Sequence, residues 1–204
     1  MNENRQTTEK EIITIAKKVF LEKGYMGATM RDIAQEAHIN LAMLNYYFGS
    51  KDKLFDIIFE ETFACMTQDI LPLAQMEIPM LEMMNKFVSI YIDGFIANPI
   101  IPGFLFSEVH NNPDRLLNKF LSKTDIHQFL TLYQKRFEQE VSRGEIRPLQ
   151  AMDFMISVIS MCAFPFVAKP IIEGVFNCSD KEYMNMMQTR KAVILDTVQR
   201  MLIP

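Results

Sequence analysis

Glycine is scarce, seven in 204 residues, and strand-like alternation of apolar and polar residues is rare. Both shortages argue against sheets and leave an all-α fold. Cysteine is sparse as well. Cys65, Cys162 and Cys178 are odd in number and lack metal-ligand spacing, which excludes a disulfide framework and reads as reduced, small buried hydrophobes. Residues 1–11 are polar and charged, so no signal peptide is expected and the cytoplasm is the expected location. The longest uncharged stretch near the C-terminus, Phe154–Ala168, contains Pro165. It is too short to span a bilayer and reads as core, with no membrane partner expected.

Catalytic patterns are missing too. There is no glycine-rich phosphate loop, no nucleophile elbow and no Cys/His pair with useful spacing. Glu108 and His110, and Asp125 and His127, stand at i, i+2 and fall on different sides of a helix. A Glu-x-x-His di-metal motif is absent. No catalytic residue, metal site or cofactor is therefore expected. An excess of basic charge is also lacking. The net charge is −4, distributed as +1 over residues 1–53 and −5 over the remainder, a mild asymmetry that does not alone mark a nucleic-acid binder.

The chain is 49% hydrophobic and 23% charged, the balance of a globular protein of one domain or two small ones. Its punctuation is helical. Thr8-Glu9-Lys10-Glu11 has capping-box form and precedes Ile12, Ala16, Val19 and Phe20 at helical spacing, with Gly24 as the stop. Thr29 caps a second helix with Asp32 at N3. Asn40 caps a third, flanked by Ile39 and Leu44 at the hydrophobic-staple positions, and Gly49 ends it. Ser50 caps a fourth. Residues 29–48 thus read as two helices separated by His38–Asn40, a helix-turn-helix. With Leu44 at the core centre and Phe48 beside it, Ala42 and Tyr46 point outward, flanked by Met43 and Asn45, with Leu41 in the first turn.

The segment "ATMRDIAQEAHINLAMLNYYFGSKDKLF" resembles the DNA-binding region of the tetracycline-repressor (TetR) family of bacterial regulators. The shared features are Thr-x-x-x-Ile-Ala, Ala-x-Ile at the turn, Leu-x-Tyr-Tyr-Phe, and Ser-Lys-x-x-Leu-Phe opening helix four. The resemblance covers residues 8–59. Beyond them it rests on length, helical content and Gly144-Glu145-Ile146-Arg147-Pro148. Two departures stand out. His38 occupies a turn position where the family commonly has Gly, and Leu41–Phe48 contains no Lys or Arg.

The resemblance implies an N-terminal three-helix helix-turn-helix domain, residues 1–50 with reading unit 29–48. A helical ligand-binding and dimerisation domain follows over residues 51–204, joined by helix four at 51–70, with about nine helices in all. It implies a sequence-specific transcriptional regulator: a ligand-responsive repressor binding double-stranded DNA at a palindromic operator as a homodimer. An activator with the same fold, or a DNA-architecture protein without a sensing role, are the alternatives. The expected DNA-binding residues are Thr29, Met30, Arg31, Asn40, Leu41, Ala42, Met43, Asn45, Tyr46, Tyr47 and Lys51. Arg31 can address guanine, Leu41, Ala42 and Met43 shape and methyl groups, and Asn45, Tyr46, Tyr47, Thr29 and Lys51 the backbone.

Helix-turn-helix proteins usually pair, placing their heads about 34–36 Å apart. Two C-terminal helices are candidates for the interface: an apolar one over Leu149–Ala163, which Pro165 should end or kink, and one from Asp180 to Leu202 behind the capping box Ser179–Glu182. The interface candidates are Met152, Ile156, Met187, Ile194, Val198 and Met201. Further helices are expected near 51–70, 79–97, 102–110 and 114–142. Phe and Met are dense there, which suits an adaptable pocket for a small apolar or aromatic effector. Its candidate lining is Phe87, Tyr91, Phe95, Phe104, His110, Phe129, Tyr133, Met155, Ile159 and Phe164.

Overall fold

The computed structural model describes residues 2–98, 100–111, 113, 114 and 126–204, and the regular structure among them is entirely helical. The chain divides into two units: Met1–Cys65 with Gly103–Asn111, and Met66–Pro102 with Asn112–Pro204.

The first unit is built from α1 (Asn2–Gly27), α2 (Met30–Glu36), α3 (Leu41–Phe48) and the body of α4 (Lys51–Thr67). The apolar residues that recur at helical spacing are the ones removed from water. They are Ile12, Ala16, Val19 and Phe20 on α1, Ile33 and Ala34 on α2, Leu44 and Phe48 on α3, and Leu54, Phe55, Ile58 and Phe59 on α4. Phe55 joins the helices edge-on, with ring centroids 5.2 Å from Phe20 and 4.8 Å from Tyr25. One expectation fails here: α1 already runs from Asn2, so the Thr8–Glu11 capping pattern lies inside a helix rather than at its start. Gly24, at φ 67 and ψ 166, interrupts α1 before its last residues, a conformation that favours glycine.

The second unit contains a 3₁₀ turn (Leu71–Gln75) and the helices α5 (Met80–Ala97), α7 (Ile126–Ser142), α8 (Ala151–Val167), α9 (Lys169–Phe176) and α10 (Asp180–Leu202); α6 spans Ile100–Asn111. Helix α5 buries Met80, Met83, Met84, Phe87, Val88, Ile92 and Phe95 at three- and four-residue steps, packing mainly on α10 and α8. Helix four stops at Thr67, short of residue 70, and Ile70 leads into the 3₁₀ turn. Of the helix expected over 114–142, residues 115–125 lie outside the described residues. Pro165 sits buried in the last turn of α8, and α9 departs at an angle of 69°, the bend that proline's missing N–H and bulky ring favour.

Three buried polar side chains of this unit bond to backbone. The Tyr133 hydroxyl donates to the Ala151 carbonyl at 2.8 Å and the Tyr183 hydroxyl to Pro165 at 3.1 Å. The buried Glu140 carboxylate accepts the Met80 N–H at 2.9 and 3.0 Å. It caps α5, whose own N-cap residue, Pro79, supplies no side-chain bond. Burial holds the Glu140 carboxyl above the ordinary glutamate range despite that bond. The Gly144–Pro148 segment has a structural use. Gly144 adopts φ 71, Ile146 is buried, and the Arg147 N–H donates to the Leu202 carbonyl at 2.8 Å, which pins the end of α10. Cys162 is buried and Cys178 half-buried, both as free thiols; burial pushes Cys162 up to about 12. The side chain of Cys65 lies outside the described residues.

No single helix among the described residues is long and apolar enough to cross a membrane. The bent pair α8–α9 passes that test only jointly, and α8 contributes core side chains.

Candidate nucleic-acid interface

The reading unit is set by its caps. The Thr29 hydroxyl accepts the Asp32 N–H at 3.1 Å, and the Asp32 carboxylate accepts the Thr29 N–H at 2.8 Å as well as the Thr29 hydroxyl, a complete capping box. Lys23 Nζ lies 2.6 Å from the same carboxylate. This lysine and the two Thr29 contacts hold the Asp32 carboxyl down at about 2. At the other end of α2 the His38 N–H donates to Gln35 at 3.1 Å and the Ile39 N–H to Ala34 at 3.0 Å. His38 makes the turn at φ 53, the left-handed region a non-glycine residue enters at a cost of roughly 1–2 kcal/mol. Asn40 then caps α3 by accepting the Met43 N–H at 2.7 Å, and Gly49, at φ 75, ends it.

Because Leu44 and Phe48 are buried, the opposite side of α3 is open. Ala42, Asn45 and Tyr46 are exposed, Tyr46 at 73%, while Leu41, Met43 and Tyr47 are half-buried. Tyr46 and Tyr47 meet edge-on at 5.6 Å, and Tyr47 packs toward Phe48 at 6.2 Å. Arg31 is exposed in the first turn of α2, and Met30 is half-buried. Asn40 uses its side-chain carbonyl oxygen as a cap and is exposed. Thr29, expected to grip a phosphate, has its hydroxyl committed to the capping box; its work is to start α2.

Lys51 is the clearest correction. Its ammonium turns inward and donates to the carbonyls of Tyr25 at 2.9 Å and Ala28 at 3.1 Å, 4.3 Å from the centre of the Tyr25 ring. The Tyr25 hydroxyl in turn contacts Asp52. Lys51 therefore ties the end of α1 to the start of α4. The cation that does face outward there is Lys53, which sequence reasoning passed over. It is exposed, in the first turn of α4, with its chain lying over Gly49. Its position three residues after the Ser50 cap, whose hydroxyl accepts the Lys53 N–H at 3.3 Å, was the available signal. Three of the four α1 lysines are paired: Lys17 with Glu61 at 3.7 Å, Lys18 with Glu36 at 3.0 Å and Lys23 with Asp32. Among the described residues no ion pair engages Arg31 or Lys53.

In the second unit, Phe87, Phe95, Phe129, Tyr133 and Met155 are buried, with Tyr91 and Ile159 half-buried. Phe87, Tyr91 and Phe95 form a run with centroids 4.7 and 5.3 Å apart, and Phe95 meets Phe166 at 5.3 Å. Burial pushes the Tyr91 hydroxyl up to about 12. Two pocket candidates are corrected. Phe164 is 63% exposed and His110 is exposed, so neither lines an interior. The side chain of Phe104 lies outside the described residues, as do Asp125 and the side chain of Glu108.

The interface candidates also divide. Met187, Ile194 and Val198 are buried against the chain's own core because that side of α10 packs on α5, so they are not offered to a partner. Met152 and Ile156 stay 41% and 57% exposed, and Met201 is half-buried. The exposed Phe164, on the same stripe of α8, and Val193 on α10 join them.

Residues 12–58 match the family model described as bacterial regulatory proteins, tetR family. The HTH-type transcriptional repressor NicS of Pseudomonas putida is 39% identical over 61 residues, covering 30% of this chain and 29% of that protein. The probable HTH-type transcriptional regulator YttP of Bacillus subtilis is 36% identical over 55 residues, 27% of each chain. The matched segment thus spans less than a third of these relatives. Over nearly the whole length the fold is that of solved regulators. HlyIIR, a hemolysin II transcriptional regulator, superposes with TM-score 0.63 at 20% identity, covering 89% of this chain and 97% of that one. The fatty acid degradation regulator FadR of Bacillus halodurans gives 0.63 at 15%, covering 92% and 94%. The likeness to the tetR family of bacterial regulatory proteins thus lies in the N-terminal helix-turn-helix, and beyond it the fold alone is shared with solved regulators.

Proposed function

We propose that the chain is a sequence-specific transcriptional regulator, a ligand-responsive repressor that binds a palindromic operator in double-stranded DNA as a homodimer in the cytoplasm. The carrying observation is the open outer face of α3: Ala42, Asn45 and Tyr46 are exposed on a helix whose other side is locked by Leu44 and Phe48. A helix of this width fits the major groove. Arg31 and Lys53 then flank it as the nearby outward cations, and the amide of Asn40 reaches the backbone. Residues 1–50 act as the reading head and 51–204 as the sensing and pairing part. A second copy supplies the matching half-site contact through α8 and α10, where Met152, Ile156, Phe164 and Val193 are exposed and Ser160 and Ala163 permit close helix approach.

The effector is small and apolar or aromatic, entering among Phe87, Tyr91, Phe95, Phe129 and Met155 in the second unit. It lowers operator affinity by preferring a head spacing that DNA does not tolerate, and α4, which leads from the reading head, is the lever. Selection of the full-length protein on randomised duplex DNA tests this reading. A two-fold symmetric site is expected. An asymmetric site, or no enrichment, contradicts it.

A further inference from the structure

The reading face lacks charge, and this narrows the kind of base pair it can read. Resting on the DNA-binding reading above, we propose that α3 recognises an A·T-rich half-site by contact with thymine methyl groups and an adenine edge. Guanine is left to Arg31, while Lys53, beyond the end of α3, serves the phosphate backbone.

The outward side chains of α3 are an alanine, an asparagine and a tyrosine, with Met43 half-exposed beside them. Each base pair shows a distinct set of groups in the major groove. Guanine presents two acceptors, satisfied best by Arg or Lys, and thymine presents a methyl group that only apolar contact can use. Leu41–Phe48 contains neither Arg nor Lys. The lysine nearest to its end in sequence, Lys51, has its ammonium on the Tyr25 and Ala28 carbonyls. A run of G·C pairs under α3 would leave its acceptors facing Ala42 and Met43 without donors, after giving up their water. A thymine methyl there meets the Ala42 methyl or the Met43 thioether instead. Asn45 completes the set. Its side chain is exposed and no hydrogen bond among the described residues engages it, so its amide can pair with adenine N6 and N7 together.

The test uses the full-length protein and a duplex selected from a random library. The selected half-site is resynthesised with deoxyuridine for thymidine, which removes the methyl groups and keeps the base pairing. The expected result is an A·T-rich half-site that loses affinity about fourfold for each contacted methyl, the factor equivalent to one buried carbon. Asn45→Ala should relax the choice at one adenine position without altering the salt slope. Selection of G·C pairs beneath α3, or equal binding of the uracil and thymine duplexes, overturns the proposal while leaving DNA binding intact. Failure to enrich any sequence overturns both, and that outcome is distinguishable from the other two.

Discussion

A backbone angle, two lysines and a glutamate show how single residues settle the behaviour of the reading head and its support. His38 turns the chain at φ 53, a conformation a glycine adopts without strain. His38→Gly should therefore raise stability by roughly 1 kcal/mol, read from thermal unfolding; a lowered melting temperature would show that the imidazole has a stabilising partner. The two lysines of α4 separate by task. Lys51→Met removes two bonds to carbonyls and should lower stability by about 1–3 kcal/mol. Lys53→Ala should leave melting unchanged but reduce the slope of log affinity against log salt by about one. Should the two variants exchange effects, the placement of both ammonium groups is contradicted. Glu140 has its carboxyl raised by burial, so between 4.5 and the raised native value the folded chain holds a proton the unfolded chain has released. Its contribution therefore weakens as pH rises through that window. Glu140→Gln should flatten this part of the stability curve, measured by urea unfolding at a series of pH values.

At the scale of elements, the helix-turn-helix was legible because each boundary has a local chemical cause. Thr29, Asn40, Gly49 and Ser50 do in the structure what their types and spacing require. The outer face of α3 followed from one choice, Leu44 inward. Helix α10 resisted the same treatment because its apolar residues cover more than one face. Met187, Ile194 and Val198 go inward and Val193 outward because α5 packs on one side, and no local spacing reveals that neighbour. Lys51 was misread for a related reason: a flexible four-carbon chain points where a distant partner lies, here the carbonyls at the end of α1. The abrupt end of α8 near Pro165 was legible; the separate helix α9 beyond it, held by Lys169 contacts to Glu173 at 3.7 Å and to Asp180, was not. Its eight residues are fewer than the stretch over which apolar spacing separates a helix from a loop.

For the whole molecule, a palindromic operator requires two copies to present two heads. Ile156 is 57% exposed on the same stripe of α8 as Met152 and Phe164, so Ile156→Glu should shift the protein from dimer to monomer in sedimentation velocity without loss of helical signal. A wild-type monomer, or a dimer indifferent to this change, would contradict the pairing surface. The central claim is that the exposed side of α3 meets DNA, and the most direct measurement is the affinity of Ala42→Glu for the duplex selected by the parent protein. Glutamate is a good helix former on an open surface, so thermal unfolding should be unchanged while the new negative charge against the groove abolishes binding. Undiminished affinity in a fully folded Ala42→Glu protein would contradict the claim.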